Sequence, residues 1–155
     1  MEEAKIAKTS LVVDTDDESE FNKNFSYREL IGTLLYLSNK TLPDISYAVG
    51  YGSRKMGKPT NMDVTNMKRV IRYLKGTKAR GIEFHGNCEE NEISAFSDSD
   101  FAADSETRKS TTGYVIIFCG GPIAWSSRGQ PIMSLSSTEA EYIAAAECVC
   151  VCVYT

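Results

Sequence analysis

Histidine occurs once in this sequence, and no run of apolar residues is long. A helix needs about 20 consecutive apolar residues to cross a bilayer, and nothing here approaches that. The opening Met1-Glu-Glu-Ala-Lys5 has no apolar stretch behind its charges, so no secretory signal is expected. Cysteines number five, at 88, 119, 148, 150 and 152. The count is odd and three fall in the last eight residues, which is not the pattern of a disulfide framework. A reducing, intracellular setting is expected, in the cytoplasm or the nucleus, without a membrane. The closing Cys-x-Cys-x-Cys run suggests metal, but His85 lies far away in the chain. On a helix only Cys148 and Cys152 would share a face, so buried or incidental thiols are the expectation.

What is present is a soluble-type composition, 42% apolar and 25% charged, over a length that suits one domain, with or without a helical appendage. The net charge of −4 hides an asymmetry. Residues 1–26 hold seven acids and three bases, residues 27–80 eleven bases and three acids, and residues 81–155 eleven acids and three bases. A basic block could hold a polyanion and an acidic block divalent cations, whereas charges that are only solvated surface would do neither.

Three segments follow. Residues 1–26 have few apolar anchors and read as an acidic, flexible lead-in. Residues 27–80 read as three helices. The first opens at Ser26 with Glu29 three residues on, a capping-box pattern, and the second near Pro43. Gly50 and Gly52 either weaken the second or let a neighbour come close. The third opens at Thr60; Val64, Met67, Ile71 and Leu74 form its apolar stripe, and Lys68, Arg72 and Lys75 line an adjoining face beside Arg69. Those four bases are candidate nucleic-acid contacts, against the simpler reading of a solvated helix face.

In residues 81–155 the period shortens. Gly81–His85, Glu92–Phe96, Thr112–Phe118 and Ile123–Ser127 are expected as strands, with a turn at Gly120-Gly-Pro122. Ser136 and Glu139 then open a last helix. The fold class is α/β in the broad sense, more narrowly α+β: a helical segment, an antiparallel strand meander and one helix. Asp98, Asp100 and Asp104 gather at the end of a strand, and Glu139 and Glu141 stand in the first turn of the last helix. Carboxylates converging from separate elements can hold hard cations such as Mg²⁺. Acids at a helix N-terminus have another explanation, the helix dipole, and Glu139 is explained by capping. Asp104 and Glu106 are expected in a solvated loop.

Several ordered strings resemble one family. Phe96-Ser-Asp-Ser-Asp-Phe-Ala-Ala-Asp104, Arg108-Lys-Ser-Thr-Thr-Gly-Tyr-Val115, Ile123-Ala-Trp-Ser-Ser-Arg-Gly-Gln-Pro131 and Leu135-Ser-Ser-Thr-Glu-Ala-Glu-Tyr-Ile-Ala144 resemble the ribonuclease H region of copia-type LTR-retrotransposon Pol polyproteins. Upstream, Tyr27–Leu37, Pro43–Ala48 and Lys68–Thr77 look like the segment joining the reverse transcriptase palm to that nuclease. The resemblance covers residues 27–150. It implies a thumb-like connection segment over 27–80 and an incomplete ribonuclease H-like domain over 81–155. It implies cleavage of the RNA strand of RNA–DNA hybrids with Mg²⁺, and a partner in the rest of the polyprotein. Carried over by motif, Asp98 and Glu141 are the catalytic and metal-binding residues. The family's later Asp-Asn pair has no counterpart here, nor does the final acid of the site, so two of the usual four carboxylates are expected and little or no nuclease activity from this polypeptide alone. The competing expectations are a non-enzymatic retroelement relic that at most binds nucleic acid, and an unrelated interaction module.

Overall fold

A computed structural model describes residues 26–86, 93–104 and 106–154. Residues 1–25 of the acidic lead-in, Cys88 and the first residue of the strand expected from Glu92 lie outside them.

Helix α1, Tyr27–Lys40, starts where the Ser26 hydroxyl accepts from the Glu29 amide. A 3-10 turn at Pro43–Ile45 leads directly into α2, Ser46–Arg54. Helix α3, Asn61–Thr77, opens on a complete capping box: the Thr60 hydroxyl accepts from the Asp63 amide, and the Asp63 carboxylate accepts from the Thr60 amide. Ile31, Leu34, Ile45, Val49, Met67 and Val70 close into one core between them. Gly52 makes this possible, since a Cβ there would stand 2.9 Å from Met67 Cε and 3.0 Å from Ile31 Cδ1. Of the two roles expected for this glycine, close approach is the observed one.

The strands form one antiparallel sheet in the order β1-β2-β3, with β1 Ile93–Asp100, β2 Thr111–Phe118 and β3 Gly121–Gly129. The expected strand at Gly81–His85 is not one. That segment crosses the β2–β3 turn, where the His85 N–H donates to the Cys119 carbonyl at 2.8 Å. The turn itself is Cys119-Gly120, both at positive φ (50° and 79°), as a tight two-residue hairpin requires. Gly121 and Pro122 therefore belong to β3. A bulge opposite Ile116 and Ile117 accommodates the proline, which lacks an amide for the ladder. Cys119 is disulfide-bonded, which the reading of the cysteines as no disulfide framework did not anticipate, while Cys148, Cys150 and Cys152 are free thiols, as expected of the closing run.

Helix α4, Ser137–Tyr154, follows the sheet. Its start is capped as expected: the Glu139 amide donates to Ser136 Oγ at 3.1 Å, and the Glu139 carboxylate accepts from the Leu135 amide at 2.6 Å. The result is an α+β arrangement, helices on either side of an antiparallel sheet. No helix among the described residues is long and apolar enough to cross a membrane.

Candidate functional site

Side chains alternate along a strand, and residues opposite one another in neighbouring strands share a face. The β1–β2–β3 register therefore sorts the acids of this region. One face carries Ser99, Thr112 and Arg128, together with the buried Ile116. Helix α4 packs there. Gln130, itself fully buried, donates from Nε2 to Thr112 Oγ1 at 3.1 Å and to the Ala140 carbonyl at 2.9 Å, and Arg128 pairs with Glu147 at 3.3 Å. The opposite face carries Phe96, Asp98 and Asp100, with Val115, Gly113 and Thr111, then Trp125, Ser127 and Gly129. Helices α1 and α2 pack there: the Trp125 indole N–H donates to the Ser38 carbonyl at 2.6 Å, and Arg54 donates to Thr111 Oγ1 at 3.3 Å.

Asp98 accordingly belongs to the face away from α4. Its carboxylate is exposed and makes no hydrogen bond or ion pair to another described residue. Glu141 is also exposed, one residue beyond the Ala140 that Gln130 ties to Thr112. Thr112 lies opposite Ser99, the neighbour of Asp98, so the Gln130 bridge brings the first turn of α4 towards this end of β1. Helical phase adds which flank of α4 carries Glu141. Cys148 reaches the Phe96 carbonyl on β1, at 3.9 Å, while Glu147 reaches Arg128 on β3. Glu141, seven residues before Cys148, shares the β1 flank. The two candidate catalytic acids thus stand on either side of β1, an edge strand, at one end of it. No hydrogen bond joins them, and among the described residues no set of three or more His, Cys, Asp or Glu side chains converges on one point.

The neighbouring acids have other work. Asp104 is not simply solvated: its carboxylate accepts from the amides of Glu106 and Thr107, at 2.9 and 3.0 Å, and pairs with Arg54 at 3.6 Å. Those contacts, the two backbone bonds foremost, hold it below the usual carboxylate range. Glu106 meets Lys55 at 2.8 Å. Both links join the end of α2 to the loop after β1, and sequence spacing gave no sign of either.

On α3 the core residues Met67 and Val70 face inward, and Arg69, Arg72 and Lys75 are exposed on the outer side, with Lys68 half-buried beside them. Arg69 is turned to the Asn66 side-chain carbonyl at 3.3 Å.

A segment built this way has known relatives. No family model matches the chain, and no solved structure does. An uncharacterised mitochondrial protein of Arabidopsis thaliana is 46% identical over 120 residues, 77% of this chain and 49% of that protein. The retrovirus-related Pol polyprotein from transposon TNT 1-94 of Nicotiana tabacum is 41% identical over 121 residues, 78% of this chain and 9% of the polyprotein. Secreted RxLR effector protein 161 of Plasmopara viticola is 39% identical over 125 residues, 81% of this chain and 87% of that protein. Over about three quarters of its length the chain is similar to retrotransposon Pol polyproteins. Its sequence corresponds to a segment of such a polyprotein, and it spans half or less of the length of the first two relatives.

Proposed function

We propose that this segment is the ribonuclease H region of a copia-type Pol polyprotein, preceded by a helical connection segment over residues 27–80, and that Asp98 and Glu141 are its contribution to a Mg²⁺ site. What supports the reading is the family motif around each acid and the exposure of both side chains, Asp98 without a partner among the described residues. Because the register puts Asp98 on the face away from α4, a shared ion would have to sit at the β1 edge. Two carboxylates suit Mg²⁺, which takes one or two from protein and completes its shell with water and substrate phosphate. When bound, the ion would supply water activation and charge stabilisation at the scissile phosphate. The chain's own share is to hold the two acids: the β1–β2 ladder fixes Asp98, and the Gln130 bridge fixes the first turns of α4 and with them Glu141. Two acids are half of the family's four, so weak metal binding and at most trace cleavage are expected from this chain alone.

The test is twofold. Mn²⁺, a paramagnetic substitute for Mg²⁺, should broaden NMR signals around residues 98 and 141. Any Mg²⁺-dependent cleavage of a labelled RNA–DNA hybrid should vanish in Asp98→Asn and in Glu141→Gln. Broadening elsewhere, or cleavage that survives both substitutions together, would refute the assignment.

A second reading rests on α3 alone. Its exposed Arg69, Arg72 and Lys75, with Lys68, offer a cationic face for a nucleic-acid backbone without any chemistry.

A further inference from the structure

Between the helices and the outer face of the sheet lies a cleft of about 400 Å³. That is within the range of small-ligand sites. Tyr47 from α2 and Phe96 and Trp125 from the sheet line it, with Asp44, Ser46 and Asp98. Phe96 is 59% exposed and Tyr47 51%, so aromatic surface is left open at its mouth. The Trp125 N–H is already committed to Ser38, so the ring offers the cleft only its π surface. Two carboxylates border the space, and no lysine, arginine or histidine is among its lining residues. Asp44 accepts from the Tyr73 hydroxyl at 2.5 Å, whereas Asp98 has no such partner among the described residues. The Ser46 hydroxyl is buried without a hydrogen bond.

We propose that this cleft binds a guanidinium cation, as the side chain of an arginine in a peptide or as a free guanidino compound. A guanidinium is flat and weakly hydrated. It stacks on aromatic faces and donates two parallel bonds to a carboxylate. A phosphate-bearing ligand would meet two negative charges and no positive one. A neutral apolar ligand would cover Asp98 and strip its water without replacing it. The cleft proposal does not rest on the Mg²⁺ reading, but both use Asp98, so the two cations would compete for its carboxylate.

Trp125 is the only tryptophan in the chain, so its fluorescence reports directly on the cleft. The full chain is titrated with N-acetylarginine amide and with a neutral peptide carrying one arginine, beside their lysine and citrulline counterparts. The expected result is a saturable change with arginine, weaker by several-fold with lysine and by about tenfold or more with the uncharged citrulline. Asp98→Asn should weaken arginine binding by about tenfold, and Phe96→Ala should weaken it while leaving Mn²⁺ broadening at residues 98 and 141 intact. Both side chains are exposed, and circular dichroism confirms that each variant keeps its fold. Tighter binding of the peptide than of the amide would identify a partner protein as the source, and equal binding a free compound. The proposal is overturned if arginine gives no saturable change, if citrulline binds as well, or if Asp98→Asn has no effect. It is also overturned if a single-stranded oligonucleotide fills the cleft and arginine does not. Absence of Mn²⁺ broadening at residues 98 and 141 in the unaltered chain, with arginine bound saturably, would instead count against the metal assignment alone.

Discussion

The indole N–H of Trp125 donates to the backbone carbonyl of Ser38 across 2.6 Å. Ser38 lies in the last turn of α1, where helix carbonyls have no partner within the helix. The Leu37 carbonyl is served by the Thr41 and Leu42 amides, and that of Ser38 by a side chain 87 residues away. A β-strand therefore caps a helix, and this bond fixes the helices against the sheet. Trp125→Phe keeps much of the ring but removes the donor. It should cost about 1–2 kcal/mol, read as a lower midpoint in urea denaturation with an unchanged slope. An unchanged midpoint would mean that water replaces the indole without loss.

The buried Gln130 side chain makes three hydrogen bonds. Its amide donates to Thr112 Oγ1 and the Ala140 carbonyl, and its oxygen accepts from Ser134 Oγ at 2.7 Å. Gln130→Ala strands three buried polar groups and leaves a cavity, so a loss of about 2–4 kcal/mol is expected by the same denaturation measurement. Because Gln130 also sets the first turns of α4, hydrogen exchange should rise at Ala140–Ala144 more than in α1. Uniform exchange would contradict that local role.

How much of this was legible in the sequence depends on how local each signal is. The starts at Ser26, Thr60 and Ser136 were readable because capping needs only the next three residues. Gly81–His85 failed as a strand because alternation says nothing about whether a partner is present. Gly120-Gly-Pro122 was misplaced by one residue as a turn. Positive φ falls on Cys119 and Gly120, and Gly121 is small because a Cβ there would meet Phe84 at 2.7 Å. At the candidate site the acids themselves were legible, and their family motif with them. That Asp98 and α4 take opposite faces follows from register, which no local pattern encodes. Nor could spacing reveal that Arg54 claims Asp104, fifty residues on.

Acid should weaken the fold in a predictable direction. Asp63 is held below the ordinary carboxylate range, chiefly by its bonds from Thr60, and Asp104 by the amides of Thr107 and Glu106. A depressed folded-state pKa means that the stabilisation is fully present above the unfolded carboxylate value and is lost as pH falls through the folded one. The urea midpoint should therefore hold near neutrality and drop below about pH 4. Asp63→Asn and Asp104→Asn should each make that drop shallower. A stability that rises on acidification would reverse the sign of this linkage.

The basic face of α3 allows a test in which charge and fold separate. Each phosphate contact releases counterions, so affinity falls with salt along a slope of about 0.9 per contact on duplex nucleic acid. Arg72 and Lys75 are exposed on the side of α3 turned away from Met67 and Val70, so truncating them leaves the core untouched. If this helix meets a nucleic-acid backbone, Arg72→Ala and Lys75→Ala should each weaken binding to an RNA–DNA hybrid and lower the slope by about one. Arg28→Ala, at an exposed position of α1, removes the same charge at another place and serves as the control. Equal losses from all three substitutions would mean that net charge alone attracts the hybrid and that α3 has no particular place against it.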